Sequence, residues 1–289
     1  MKPNSLLIVG CGDLGARTGE LLRCCDYDLG GVCRNTSRLP ADFTAYSADY
    51  CEMGSLAFLE DAAPDYLMLT LKPTEFSAQG YQRGFPQAMA NVLSGLGAHQ
   101  PKAIFMVSST RVFAERDGGW VDEESPLAQD GYAAKAIIEA EEMLQNSRHS
   151  SCIVRFAGIY GDPEGRLITR LGRGEVCART PLKYSNRIHR DDCAGFIVHL
   201  LALGHSDRLS VYIGVDSQPV PGYEVEQWLA REINPDAILT EMDSVSTRSL
   251  GHKRCSNRRL LASGYRLQYA GYQAGYGAVV AARPAIGKE

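Results

Sequence analysis

No Cys-x-x-Cys pair occurs among the nine cysteines, and none stands at regular spacing from His189 or His199. Zinc-ribbon and iron–sulfur ligation therefore have no support, and an odd cysteine count does not suit a secreted disulfide framework. No apolar run reaches the length of a membrane span, and Leu6-Leu7-Ile8-Val9 is too short for the core of a signal peptide. Neither charge dominates: 30 basic and 34 acidic side chains give a net charge of −4, which offers no general footprint for nucleic acid. Repeats and low-complexity linkers are missing too. These absences predict a cytoplasmic protein with no nucleic-acid, membrane or metal partner. With 45% hydrophobic residues over 289 positions, the chain can bury a substantial core in one large domain or two modest ones.

What is present is an alternation of strand-like and helix-like segments. Leu6–Val9 is an apolar run that stops at glycine, as a buried parallel strand does. Leu14–Arg23 reads as a helix, and Leu29–Cys33, Phe43–Ser47, Tyr66–Leu71, Ala103–Val107 and Cys152–Phe156 read as further strands. Residues 79–97 and Ala133–Leu144 carry helical periodicity. After Gly158 the rhythm fades into loop and short helix, with Ala194–Leu203 and Val225–Ile233 as helices and Val211–Val215 as a seventh strand. Such βαβ units imply a parallel sheet covered on both faces.

Gly10-Cys11-Gly12-Asp13-Leu14-Gly15 is a G-x-G-x-x-G between the first strand and the first helix. The first glycine permits a tight turn and the second lets backbone approach a pyrophosphate. The third allows close helix–strand packing, and the helix amino end attracts the anion. At the end of the second strand, where an acidic residue commonly holds the ribose of NAD, stands Cys33-Arg34-Asn35-Thr36-Ser37-Arg38, with no carboxylate. Arg34 and Arg38 suit a 2′-phosphate, so NADP is expected ahead of NAD. Asp49 either faces adenine or caps the next helix. Leu71 and Lys72, after the fourth strand, lie near the expected nicotinamide ribose, where Lys72 touches the ligand or forms a charged rim.

Val107-Ser108-Ser109-Thr110-Arg111-Val112-Phe113 closes the fifth strand, where hydroxyls face the ligand crevice of doubly wound folds. With the glycine loop, this run resembles the extended short-chain dehydrogenase/reductase superfamily, also called the NAD-dependent epimerase/dehydratase family, in an atypical branch. Ser109 aligns with that family's catalytic serine or threonine, and Phe113-Ala114 replaces its Tyr-Gly. Arg155-Phe156-Ala157-Gly158-Ile159-Tyr160-Gly161 is similar to the family's sixth-strand motif, which implies backbone near the nicotinamide at Phe156 and Gly158. Asn186-Arg187-Ile188-His189-Arg190-Asp191-Asp192, Val211–Val215 with Pro219-Val220-Pro221, and Lys253–Asn257 extend the resemblance over most of the chain. It implies a Rossmann-type doubly wound α/β sheet of about seven strands over 1–157, with 186–215 returning to it. A smaller substrate-binding region is expected over 158–185 and 216–289, and the family's habit is a monomer or homodimer.

The family's acid/base couple is Tyr-x-x-x-Lys, whose spacing places both side chains on one helix face. Here the chain reads Gly131-Tyr132-Ala133-Ala134-Lys135-Ala136. Keeping Lys135 in register puts Gly131 where the tyrosine belongs, and keeping Tyr132 puts Ala136 where the lysine belongs. Ser109, Tyr132 and Lys135 are the catalytic candidates, with Lys135 also at the cofactor ribose. The resemblance thus implies an NAD(P)-dependent oxidoreductase or epimerase/dehydratase acting on a carbonyl or hydroxyl of a small or nucleotide-linked substrate. The broken couple is the feature that favours the alternative, an NADP(H)-binding sensor or regulatory protein without redox turnover. Arg166, Arg170, Arg173 and Arg187 are candidates for a substrate diphosphate. Asp122-Glu123-Glu124 reads as a solvated loop, Asp191 or Asp192 as a helix cap, and His189 as the maker of a buried hydrogen bond.

Overall fold

The computed structural model describes residues 3–242 and 252–283. Seven strands form the central sheet: β1 (Asn4–Val9), β2 (Tyr27–Cys33), β3 (Thr44–Ser47), β4 (Tyr66–Leu69), β5 (Ala103–Ser109), β6 (Ser151–Phe156) and β7 (Val211–Gly214). Their order is β7-β6-β5-β4-β1-β2-β3. The first six pair in parallel, with Leu6 between Leu29 and Tyr66 and Ser109 opposite Phe156. β7 follows the same direction, since Ile153 N–H donates to the Ser210 carbonyl and Ala157 N–H to that of Gly214. Leu6–Val9, Leu67–Leu69 and Ala103–Met106 are buried without a break, as strands covered on both faces must be. The order reverses at β1, so the crevice for a ligand opens beyond the carboxyl ends of β1 and its neighbours.

Helix α1 (Asp13–Leu22) leads from β1 toward β2, α2 (Tyr132–Gln145) precedes β6, and α3 (Arg190–Ala202) precedes β7. The helix expected over 79–97 runs as Ala78–Gln82 and Ala88–Gly95, joined by a π-helical turn at Arg83–Gln87. Pro86 lies inside that turn. Its missing N–H breaks the regular ladder, and the wider turn takes up the break.

The chain divides into two compact units. The first comprises Met1–Ala114, Pro126–Phe156 and Cys193–Tyr212; the second comprises Glu115–Ser125, Ala157–Asp192 and Ile213–Glu289. Residues 187–189 fall in the second unit, because Arg187–His189 pairs with Gly158–Tyr160. The second unit has its own core, in which Ile168 and Leu171 meet Val225, Leu229 and Tyr276.

Two carboxylates of the second unit depart from expectation. Glu123 is buried rather than solvated: its carboxylate accepts Ile213 N–H at 2.8 Å and lies 3.5 Å from the Arg259 guanidinium. Burial pushes its carboxyl up from the ordinary range. Asp192 does not cap a helix; fully buried within α3, it accepts the backbone N–H groups of Gln268 and Tyr269 and the Tyr265 hydroxyl. It thus ties the late segment to α3. His189 is buried as expected, with Nδ1 accepting Asp191 N–H at 3.2 Å.

Candidate functional site

At the carboxyl end of β1, Gly10 adopts φ +80°, and a Cβ there would come within 2.8 Å of the Thr70 carbonyl. Only glycine fits both the left-handed conformation and that approach. Gly10 and Cys11 both donate N–H to the Val32 carbonyl, at 2.9 and 3.0 Å, and Thr70 Oγ1 donates to the Gly10 carbonyl at 2.6 Å. The loop is thereby stitched to β2 and β4. Gly12 is the N-cap of α1 and offers no side-chain cap. A Cβ on it would meet nothing nearer than 3.9 Å, so the turn keeps an open face at the positive end of the helix. Gly15 has the packing role: a Cβ would sit 2.8 Å from Ile8 Cγ2.

This loop floors a cavity of about 700 Å³ within the first unit. Gly10, Gly12, Asp13, Arg34, Arg38, Asp49 and Lys72 all line it, so seven of the expected cofactor residues share one cavity. Asn35 shapes the turn after β2, its Oδ1 accepting the N–H and hydroxyl of Ser37. The Arg34 side chain is exposed and stands 3.9 Å from the Asp49 carboxylate. Asp49 itself accepts Cys51 N–H at 3.0 Å, a local turn rather than a helix cap. Lys72 is exposed on the rim.

Sequence reasoning missed Cys11, Cys51 and Tyr50, which also line the cavity. Burial pushes the Cys11 thiol up to about 12 and the Cys51 thiol up to about 11, so both stand as neutral, weakly polar walls rather than nucleophiles. Tyr50, pushed up to about 12 by burial, packs its ring edge against Gly10. The missing side chain at position 10 was the one available signal for an aromatic neighbour.

Other expected residues sit elsewhere. Leu14, Leu71 and Phe156 do not line the cavity, and Leu71 and Phe156 are core residues. Ser108 is corrected outright: its hydroxyl is buried and donates to Glu141, which also receives Arg155 Nε and Nη2. Gly158, in the second unit, is exposed beside the Asn186 carbonyl. The four arginines proposed for a diphosphate do not converge. Arg166 and Arg173 are exposed, Arg170 pairs with Glu226 at 2.6 Å, and Arg187 is buried with Nη2 on the Ser185 carbonyl.

Among the catalytic candidates, Ser109 accepts Arg111 N–H at 3.2 Å and closes the turn after β5. Tyr132 is the first residue of α2 and half exposed; its hydroxyl donates to the Phe76 carbonyl at 3.4 Å, and its ring meets Tyr81 edge-on. Lys135 is exposed one turn further along. No hydrogen bond joins these three. Gly131 lies before the helix at φ +76°, a conformation that strains any side chain. The position in register with Lys135 is therefore built for glycine and not for tyrosine. Among the described residues, no three His, Cys, Asp or Glu side chains are grouped to hold a metal ion, and no helix is long and apolar enough to cross a membrane.

No protein-family model matches the chain, and no curated protein matches it either. Solved structures do. A Methylobacillus flagellatus protein described as an NAD-dependent epimerase/dehydratase is 32% identical, with a TM-score of 0.79 over 98% of this chain and 99% of that one. The human epimerase family protein SDR39U1, isoform 2, solved with NADPH, is 17% identical, with a TM-score of 0.76 over 96% and 100%. UDP-glucose 4-epimerase of Thermotoga maritima, solved with UDP-glucose, is 12% identical, with a TM-score of 0.80 over 96% and 97%. The last two share the fold, while the first shares sequence along its whole length. With the open glycine turn, the strand reversal at β1 and this full-length kinship, the chain belongs to the NAD-dependent epimerase/dehydratase family of extended short-chain dehydrogenase/reductase proteins.

Proposed function

We propose that the protein is an NADP(H)-dependent oxidoreductase or epimerase/dehydratase acting on a carbonyl or hydroxyl of a small or nucleotide-linked substrate. The observation that carries this reading is the uncapped α1 amino end beneath the Gly10–Gly12 turn, opening into a cavity that Arg34 and Arg38 also line, with no carboxylate at the carboxyl end of β2. The turn would hold the pyrophosphate, and Arg34 and Arg38 the 2′-phosphate. Lys135 would orient the nicotinamide ribose, and Ser109 would polarise the reacting oxygen. The cofactor supplies hydride donation or acceptance at its nicotinamide ring when bound. Solved relatives carry either NADPH or NAD, which supports a nicotinamide dinucleotide in general.

Arg34→Ala is expected to weaken NADPH binding by about tenfold or more, the value of a charge-assisted hydrogen bond, and to leave NADH binding unchanged. Calorimetric titration of both cofactors reads this directly. Tighter binding of NADH than NADPH by the unaltered protein would defeat the 2′-phosphate assignment.

Tyr132 is displaced by one position from the family's register and its hydroxyl already rests on the Phe76 carbonyl. Removing a general acid lowers turnover by roughly a hundred- to ten-thousandfold. Tyr132→Phe is expected to fall below that range, with a loss under about tenfold, and Ser109→Ala to fall within it. Initial rates of NADPH oxidation over a panel of carbonyl substrates measure both. The same displaced couple favours a second reading, a cofactor-binding sensor. Tight NADPH binding with no oxidation over the whole panel is its signature.

A further inference from the structure

Two of the segments that line the cavity of about 700 Å³, 48–51 after β3 and 72–74 after β4, are mounted on one helical stretch. It is the stretch from Ala78 to Gly95 with the π-helical turn at Arg83–Gln87. The first segment hangs from side chains. Asn91 is 1% exposed, and a buried amide is tolerated only where its donors and acceptor are used. Its Nδ2 donates to the Tyr50 carbonyl at 3.1 Å and to the Glu52 carbonyl at 2.6 Å, and its Oδ1 accepts Gly54 N–H at 2.9 Å. Four positions earlier, Gln87 Nε2 donates to the Cys51 carbonyl at 2.9 Å. Two side chains of one helix thus hold the backbone of 50–54.

The second segment lies on the backbone of the same stretch. Thr74 N–H donates to the Gly80 carbonyl at 3.1 Å, and a Cβ on Gly80 or Gly84 would run into the Glu75 or Lys72 carbonyl. Tyr50 spans the two segments. Its hydroxyl accepts Lys72 N–H, and its ring edge lies 3.2 Å from where a Cβ on Gly10 would stand. A rigid ring is therefore fixed at its backbone by Asn91 and at its hydroxyl by Lys72, with its edge against the glycine turn.

We propose that Asn91 is a positioning residue of the cofactor cavity. By holding Tyr50 and the turn behind it, Asn91 fixes the separation of the glycine turn from the Lys72 segment at the width a nicotinamide dinucleotide needs. The ligand in this proposal rests on the cofactor reading; the mechanical coupling from Asn91 through Tyr50 to Lys72 does not.

The test compares the full-length protein with Asn91→Leu, Gln87→Leu and Tyr50→Phe, and reads amide hydrogen exchange and NADPH affinity well below every melting temperature. Asn91→Leu is expected to speed exchange at Gly54, which it touches, and also at Lys72, which it reaches only through Tyr50, each by about tenfold or more. Tyr50→Phe is expected to speed exchange at Lys72 and to leave Gly54 as it was. NADPH affinity by calorimetry is expected to fall by about tenfold or more in Asn91→Leu and by about three- to tenfold in Gln87→Leu, which loses one neutral hydrogen bond. An asparagine with a merely structural role lowers the melting temperature and moves neither Lys72 exchange nor affinity. Unchanged exchange at Lys72 in Asn91→Leu, or NADPH affinity equal to that of the unaltered protein in both leucine variants, overturns the proposal. Gln87 is exposed, so that variant decides on affinity if Asn91→Leu does not fold. Absence of NADPH binding by the unaltered protein would strike the cofactor reading, while Lys72 exchange still decides the coupling.

Discussion

Replacing Glu141 by leucine is expected to cost about 3–5 kcal/mol of folding stability, the usual effect of leaving a buried charge without its partner. Arg155 and Glu141 side chains are 5% and 1% exposed, joined at 2.6 Å between Nη2 and Oε2 and at 3.1 Å between Nε and Oε2. Ser108 donates to the same carboxylate, and the guanidinium lies 5.2 Å from the Phe113 ring centroid. The leucine variant removes one charge and strands the other, along with the serine hydroxyl. Thermal melting should fall by roughly 5–8 °C for a chain of this size. Pairing the change with Arg155→Met restores much of the loss, because the desolvation cost of both ions then disappears. A double-mutant cycle in denaturant measures the coupling. A single variant that melts with the wild type would show that the pair contributes nothing.

That network marks where sequence reading stopped. The sheet was legible because Leu6–Val9, Tyr66–Leu69 and Ala103–Val107 are apolar runs whose burial is local information. The glycine turn was legible because its spacing is a local pattern, and at Gly15 the steric demand is local too, set by Ile8 and Cys11, whereas at Gly10 it comes from Thr70 and Tyr50. Ser108 was misread because its partner, Glu141, is 33 residues on in a helix whose pattern marks that position as a charge among apolar neighbours. Glu123 was misread because three carboxylates in a row look solvated. The groups that bury it, Ile213 N–H and the Arg259 guanidinium, lie 90 or more positions away. Arg170 looked like an anion ligand because no local rule reveals its partner Glu226, 56 positions on. Single-residue chemistry was visible; pairing across the chain was not.

The pH dependence of unfolding should shift in a defined direction when Asp216 becomes asparagine. Burial, reinforced by Asp192 and opposed by the Gln218 N–H and Arg187, pushes the Asp216 carboxyl up to about 6. In the unfolded chain the same group ionises near 3.9. Between these two values the folded state binds more protons than the unfolded one, so stability declines as pH rises. The contribution of the protonated carboxyl is complete below about pH 4 and is lost by about pH 7, a swing of roughly 3 kcal/mol from a displacement of about two units. Asparagine keeps the Oδ1 acceptor for the Gln218 N–H and carries no titrating proton. Relative to the wild type, the variant should therefore gain up to about 3 kcal/mol as pH rises from 4 to 8. Tyr160, whose hydroxyl is buried and without a hydrogen-bond partner among the described residues, also acts electrostatically on this region, but its phenol is pushed upward by burial and stays neutral throughout the window. Urea unfolding of both proteins at several values between pH 4 and 8 gives the difference directly, with other titrating groups cancelling in the comparison. A constant difference across that range would mean that Asp216 ionises alike in the folded and unfolded chains, with its charge solvated in both.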